Sequence, residues 1–281
     1  TDLNVEYPVG GGRHVHAVSD VTLAVRHGET LGLVGESGSG KSSLARALLQ
    51  LPPPRGSVLF EGSELTQMRG EALRAVRPRL QMIFQDPIAS LNPRRRVSEI
   101  VAEPLVVSGV RDPAERTRRV RAVMEAVGLD PDVVWNRRPH EFSGGQCQRI
   151  AIARALVLEP KLIVCDEPVS ALDVSIRAQI LNLLEDMKAR FGLTLLFIAH
   201  DLAVVKSVSD RVAVMYLGRL CEVADSVSLF ATPAHPYTAA LMAAIPVPDP
   251  DIPLGDTKLK PGDPPSPLDP PPGCAFHPRC P

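Results

Sequence analysis

No run of apolar residues in this 281-residue chain approaches the roughly 20 needed to cross a bilayer as a helix. Any role at a membrane therefore requires a partner. No stretch near the start has the charged, apolar and small-residue regions of a secretory signal. Charge of one sign is missing as well: Lys+Arg 31 against Asp+Glu 32 leaves a net charge of −1. That excludes a global field gathering nucleic acid or anionic lipid. The arginines that cluster, Arg94 to Arg96 and Arg116 to Arg121, are expected to be a solvated loop and a solvated helix face. A disulfide framework is also absent. The five cysteines are odd in number, and Cys147 and Cys165 lie inside apolar-periodic segments. This pattern suits a reduced, cytosolic protein. No internal repeat is visible.

The chain does carry short apolar runs between glycine and proline punctuation. Residues 19–34 are expected to give a strand, a turn at His27-Gly28-Glu29 and a short strand from Thr30 to Val34. Apolar residues at helical spacing (Leu44, Ala45, Leu48, Leu49) predict a helix from Ser42, stopped by Pro52-Pro53-Pro54. Gly56 to Gly62 carries a strand signal. From about 86 to 159 the chain is arginine- and glutamate-rich with helical periodicity (Val120, Val123, Met124, Val127), which predicts a mostly helical insertion. Leu162 to Cys165 and Leu193 to Ile198 are continuously apolar, as fully buried parallel strands are. Ser175 to Arg190 between them is a helix candidate. Thirteen prolines fall in residues 246–281, so that tail is expected to be extended or disordered.

Two glycine-rich segments carry the chemistry. The first, Gly35-Glu36-Ser37-Gly38-Ser39-Gly40-Lys41-Ser42, fits the phosphate-binding pattern G-x4-G-K-[ST] between a strand and a helix. Glycines there let backbone N–H groups approach phosphates, and the helix N-terminus adds positive potential. Lys41 is placed to reach the β- and γ-phosphates and the Ser42 hydroxyl to ligate Mg2+. Asp166-Glu167 ends a buried strand, where successive side chains point oppositely. One carboxylate can hold the metal while the other faces an attacking water, the division of labour that phosphoryl transfer needs. The second segment, Ser143-Gly144-Gly145-Gln146, precedes a long amphipathic helix and offers backbone donors and a hydroxyl to an anion.

These segments occur in the order found in ATP-binding-cassette ATPases. The set comprises the phosphate loop, Gln85 in Met82-Ile83-Phe84-Gln85-Asp86, Ser143 to Gln146, Ile163 to Glu167, Ser170-Ala171-Leu172-Asp173 and His200. The chain resembles that family over about residues 3–230. The resemblance implies an α/β fold: a P-loop NTPase (RecA-like) core with a mainly parallel sheet, an antiparallel β subdomain, an inserted helical subdomain and a Pro-rich C-terminal extension. The implied division is 1–85 and 160–230 for the nucleotide-binding core with its β subdomain, 86–159 for the helical subdomain and 231–281 for the extension. The implied cofactors are ATP and Mg2+. Gly35, Ser37, Gly38, Ser39, Gly40, Lys41, Ser42 and Ser43 would hold the nucleotide, and Asp166, Ser42 and Gln85 the metal. Glu167 would be the base, with Gln85 sensing the metal and the transmembrane partner, and His200 the γ-phosphate switch. Ser170 to Asp173 would form a dimer-contacting loop. Tyr7, the only aromatic residue before Phe60, is the candidate for stacking on adenine; the loose alignment around Gly10-Gly11-Gly12 leaves His14 or His16 as alternatives. The resemblance also implies that Ser143 to Gln146 contacts the γ-phosphate bound by an opposed subunit, head to tail.

Finer features resemble the ATPase subunits of oligopeptide and dipeptide importers. They are Phe84 to Pro93, Glu167 to Ser175, His235-Pro236-Tyr237-Thr238-Ala239-Ala240-Leu241 and the segment Gly273 to Pro281. That subgroup implies a second cassette subunit, identical or paralogous, two transmembrane permease subunits and, indirectly, a solute-binding protein. It also implies a peripheral position on the cytoplasmic face of the membrane and no nucleic-acid partner. Some members bind a four-iron four-sulfur cluster through cysteines of the extension. Such a cluster takes four thiolates, and the chain as given offers Cys274 and Cys280 there, so it is expected not to complete one. Phe142 departs from the usual leucine, a change of packing. Cys147 departs from a common basic or polar residue, which is expected to remove a surface charge. The competing expectation is a non-transport cassette ATPase in a soluble complex, such as one degrading phosphonates. A P-loop kinase or switch GTPase does not account for Ser143 to Gln146.

Overall fold

A computed structural model describes residues 1–244 and 263–281. The chain opens with β1 (Leu3–Pro8), β2 (His14–Val21), β3 (Thr30–Val34) and α1 (Lys41–Leu48), then β4 (Leu59–Phe60), β5 (Ser63–Glu64), α2 (Gly70–Val76) and β6 (Leu80–Ile83). Helices follow: α3 (Pro87–Ser90), α4 (Val97–Val107), α5 (Pro113–Ala126), α6 (Pro131–Val134) and α7 (Gly144–Leu156). Then come β7 (Leu162–Asp166), α8 (Val174–Phe191), β8 (Thr194–Ile198), α9 (Leu202–Val208), β9 (Arg211–Tyr216), β10 (Arg219–Asp225), α10 (Ser226–Ala231) and α11 (Pro236–Ala243).

Contacts divide the chain into two compact units. The first holds residues 1–25, 30–67 and 197–281. In it β1 and β2 form an antiparallel hairpin with Leu3 opposite Val21 and Tyr7 opposite Val15. β3 runs parallel to β9, Leu31 opposite Arg211 and Val34 opposite Val214, and β10 returns antiparallel along β9. All five residues of β3 are buried. That is why the run is continuously apolar instead of alternating.

The second unit holds residues 26–29 and 68–196. Its β6 and β7 are parallel, Leu80 opposite Leu162 and Ile83 opposite Cys165. Between residues 86 and 159 every described α or β element is a helix, and Pro87, Pro113 and Pro131 begin helices, while Pro104 sits inside α4. In α3, α5 and α6 an aspartate caps the helix and proline follows: Asp86 accepts from the Ala89 N–H, Asp112 from Ala114 and Asp130 from Asp132. Proline's fixed φ and missing N–H suit the first helical position, and each such cap is worth about 1 kcal/mol. Helix α7 packs on α3, α4, α5 and α8.

Two expectations need correction. Of the proline-rich tail, residues 245–262 lie outside the described residues, but 263–281 are neither loose nor solvated throughout. The His16 N–H donates to the Pro267 carbonyl at 2.9 Å, and Phe276 is 1% exposed. Proline-rich composition does not exclude packing, and His277–Arg279 even forms a short 3-10 helix. The Arg116 to Arg121 face is also not simply solvated. Arg119 donates to the Val157 carbonyl at the end of α7, and Arg121 pairs with Asp132 while its guanidinium lies over the Trp135 ring.

Candidate ATP-binding and hydrolysis site

The first unit carries Tyr7, Gly35 to Ser43 and His200; the second carries Gln85, Ser143 to Gln146, Asp166, Glu167 and Asp173. At the phosphate loop the chain leaves β3 and enters α1 through Gly40 at φ 104°, a backbone region that favours glycine. Space also demands glycine there, because a Cβ on Gly40 would sit 2.1 Å from the Ala17 carbonyl oxygen. Within the loop the Lys41 ammonium, on a residue 5% exposed, donates to the carbonyls of Gly35 and Glu36 at 2.8 Å and to Ser39 Oγ at 3.3 Å. Ser39 is buried, Ser42 and Ser43 are half-buried, and Ser37 and Gly38 are exposed. Tyr7 is half-buried on the hairpin, and His200 is exposed just after β8.

The second unit brings together two residues that sequence reasoning left separate. Gln85 Nε2 donates to Glu167 Oε2 at 3.0 Å, joining the loop after β6 to the residue after β7. Parallel pairing of Ile83 with Cys165 explains the meeting, since both strands end at the same level. Glu167 does not extend the alternation of β7. The strand stops at Asp166, and Glu167 turns to φ 49°. The direction of its side chain is thus set by a left-handed residue, not by strand geometry. Its carbonyl accepts from the N–H and hydroxyl of Ser170, which hold the turn. Strained non-glycine backbone of this kind costs on the order of 1–3 kcal/mol and gathers at functional sites. Asp166 is 2% exposed, and beside it burial, together with the Asp166 charge, pushes the Cys165 thiol up to about 12.

Ser143 to Gln146 begins α7 as a reciprocal cap: the Gln146 N–H donates to Ser143 Oγ at 3.4 Å, and the Ser143 N–H donates to Gln146 Oε1 at 3.0 Å. The motif is thus also a helix-starting device. Gly145 has a packing reason, because a Cβ there would lie 2.6 Å from Ile176 Cγ2 on α8. Asp173 precedes α8, exposed, with its carbonyl accepting from the Arg177 N–H. Phe142 is half-buried. Cys147 is corrected: it is 1% exposed with Sγ 3.5 Å from the Pro139 carbonyl, and burial raises its thiol pKa. Its helix position faces the interior, so no surface charge is lost there.

Sequence reasoning also missed how residues far along the chain meet the phosphate loop. In His235 to Leu241, His235 Nδ1 accepts from the Tyr237 N–H to cap α11, with Pro236 at the first helical position. Burial lowers the His235 pKa, which favours the neutral ring that this acceptor role uses. The Tyr237 hydroxyl accepts from the Glu36 N–H at 2.8 Å. Nothing in local periodicity reports a contact spanning 201 residues.

A phosphate loop, a strand-end acid pair joined to Gln85, and a capped Ser-Gly-Gly-Gln helix start together define a cassette-type P-loop ATPase. The family described as ABC transporter matches residues 18–170, and the chain belongs to it. A second family, described as the C-terminal region of oligopeptide/dipeptide transporters, matches residues 221–281. The chain is 54% identical to the Escherichia coli oligopeptide transport ATP-binding protein OppF, covering 100% of this chain and 87% of that protein. OppF of Haemophilus influenzae is also 54% identical, over 94% of this chain and 80% of that protein. Among solved structures, the dimeric ATP-binding cassette MJ0796 bound to ADP and Pi is similar, with TM-score 0.72 and 27% identity over 80% of this chain and 97% of that one. So is cbiO1 of Clostridium perfringens, with TM-score 0.71 and 28% identity over 82% and 90%.

Proposed function

We propose that this chain is the ATP-hydrolysing, energy-coupling subunit of a membrane importer for peptides. The observation that carries the reading is the match of residues 221–281 to the oligopeptide/dipeptide transporter C-terminal region, alongside OppF relatives over the whole chain. A soluble complex without transport gains no support from these relatives. Coupling runs through separate permease subunits, and no described helix is long and apolar enough to cross a membrane. The chain sits peripherally on the cytoplasmic face, paired head to tail with a second cassette, identical or paralogous, and a solute-binding protein delivers cargo to the permeases.

The residues then take these roles. Gly35 to Ser43 wraps the phosphates, and Tyr7 stacks on adenine. The Ser42 hydroxyl and the Asp166 carboxylate are hard oxygen donors of the kind Mg2+ takes, completed by phosphates and water, and Gln85 adds a third. Bound Mg2+ would neutralise developing phosphate charge. Glu167 orients and deprotonates the attacking water, held by Gln85 through the 3.0 Å contact. His200 contacts the γ-phosphate, and Ser143 to Gln146 serves the nucleotide of the opposed subunit across the loop ending at Asp173. Residues 86–159 form the helical subdomain that transmits closure, 1–85 and 160–230 the core, and 231–281 the extension. Affinity purification of the tagged chain from membranes tests the class. Permease subunits and peptide-stimulated ATP turnover should co-purify. Recovery with soluble enzymes alone would overturn the importer reading.

A further inference from the structure

Glu36, the second residue of the phosphate loop, is held on every polar group. Its N–H donates to the Tyr237 hydroxyl at 2.8 Å, and its carbonyl accepts from Lys41 Nζ at 2.8 Å and from the Ser39 N–H at 3.1 Å. Its carboxylate receives Arg279 Nη1 at 3.2 and 3.0 Å on its two oxygens. Arg279 stands 243 residues along the chain and is anchored there by more than charge. Its Nη1 reaches the Tyr216 hydroxyl at 3.4 Å, and its guanidinium lies 5.8 Å from the Tyr216 ring centroid. Tyr216, Tyr237 and Phe276, each 1% exposed, form one aromatic cluster with centroids 4.7 to 5.3 Å apart. The side chain of Arg279 is 13% exposed and that of Glu36 32%. The hydrogen bond from Arg279 to Glu36 raises the arginine pKa further above its usual value.

A carboxylate on the second residue of an anion-binding loop opposes the anion. Left unpaired, the Glu36 charge would repel a triphosphate and could draw Lys41 from the loop carbonyls it holds. We propose that Arg279 is a positioning residue that sets nucleotide affinity by neutralising Glu36, so that the C-terminal segment latches the phosphate loop. The inference rests on the reading of Gly35 to Ser42 as the nucleotide site. Any event that lifts residues 276–279 off the aromatic cluster would then weaken ATP binding without touching a phosphate contact.

Equilibrium binding of MgATP to the full-length chain tests it. Arg279→Ala should raise the Kd about fivefold, the scale of a partly shielded ion pair, while Arg279→Lys keeps most of the affinity. Arg279→Met preserves side-chain length without charge and should match Arg279→Ala, which covers a variant that folds poorly. Whatever affinity Glu36→Gln itself shows, adding Arg279→Ala to it should change that Kd by less than about twofold. A purely structural role of the tail would not produce that coupling. Wild-type affinity in Arg279→Met, or an undiminished loss in the Glu36→Gln background, overturns the latch alone. If the wild-type chain binds no better than Lys41→Ala, the nucleotide-site reading fails and the latch with it.

Discussion

The two glycine-rich segments of this chain look alike in sequence and need their glycines for different reasons. In the loop from Gly35 to Ser42, Gly40 adopts φ 104° with a backbone carbonyl 2.1 Å from where its Cβ would be. In Ser143 to Gln146 the glycines are ordinary helical residues, and Gly145 is demanded by a side chain, Ile176, on a neighbouring helix. One segment is a backbone cradle with no room to relax. The other is a capped helix start whose clearance depends on one packing partner. Glycine richness alone does not distinguish a conformational requirement from a packing requirement, and the two respond differently to mutation.

The largest expected effect concerns function. Ser143→Arg should leave MgATP affinity within about twofold but lower turnover of the assembled transporter about 100-fold or more, as loss of preorganised anion stabilisation does. Binding titration beside phosphate release measures both, and normal turnover would remove the role of the tetrapeptide in hydrolysis. For stability, Gly40→Ala should cost about 3 kcal/mol, because strain and a backbone clash add. Gly145→Ala should cost about 1–2 kcal/mol, overpacking being partly offset by better helix propensity. Denaturant unfolding sharpens the contrast. Ile176→Ala should relieve the Gly145→Ala clash, whereas no side-chain truncation should relieve the clash of Gly40→Ala with the Ala17 carbonyl. Equal rescue of both would break the distinction.

The smallest effect is a pH dependence confined to the first unit. Ser57, Thr66 and the Val58 N–H hydrogen-bond the Glu64 carboxylate, which lowers its pKa from 4.5 to about 2. A carboxylate depressed in the folded state stabilises above its unfolded pKa. Its contribution is therefore complete above about 4.5 and is lost as pH falls toward about 2. Glu64→Gln should flatten the acid limb of the stability curve in that window and leave the curve above pH 5 parallel to wild type. An unchanged acid limb would show that Glu64 carries none of it.

What was legible in the sequence follows from range. The short buried strands at Thr30–Val34 and Leu162–Asp166 appear where continuous apolar runs predict them, and α8 runs Val174–Phe191 where Ser175 to Arg190 was expected. Those signals are local. The pairing of Gln85 with Glu167 depends on two parallel strands ending level, and the left-handed turn at Glu167 on a serine three residues on. Neither leaves a periodic trace. The terminal segment was hidden most completely. Proline content gives no sign that Phe276 joins the Tyr216 and Tyr237 rings, or that Arg279 pairs with Glu36 243 residues away. The inward face of Cys147 was partly legible: it lies in an apolar-periodic segment, and it is 1% exposed.

The central claim is that Glu167, held by Gln85, is the group that makes ATP hydrolysis possible in this chain. Turnover and nucleotide retention of the purified transporter carrying Glu167→Gln test it most directly. The account predicts phosphate release lowered about 100-fold or more with MgATP binding retained and the complex trapped closed. Phosphate release at the wild-type rate in that variant would contradict it.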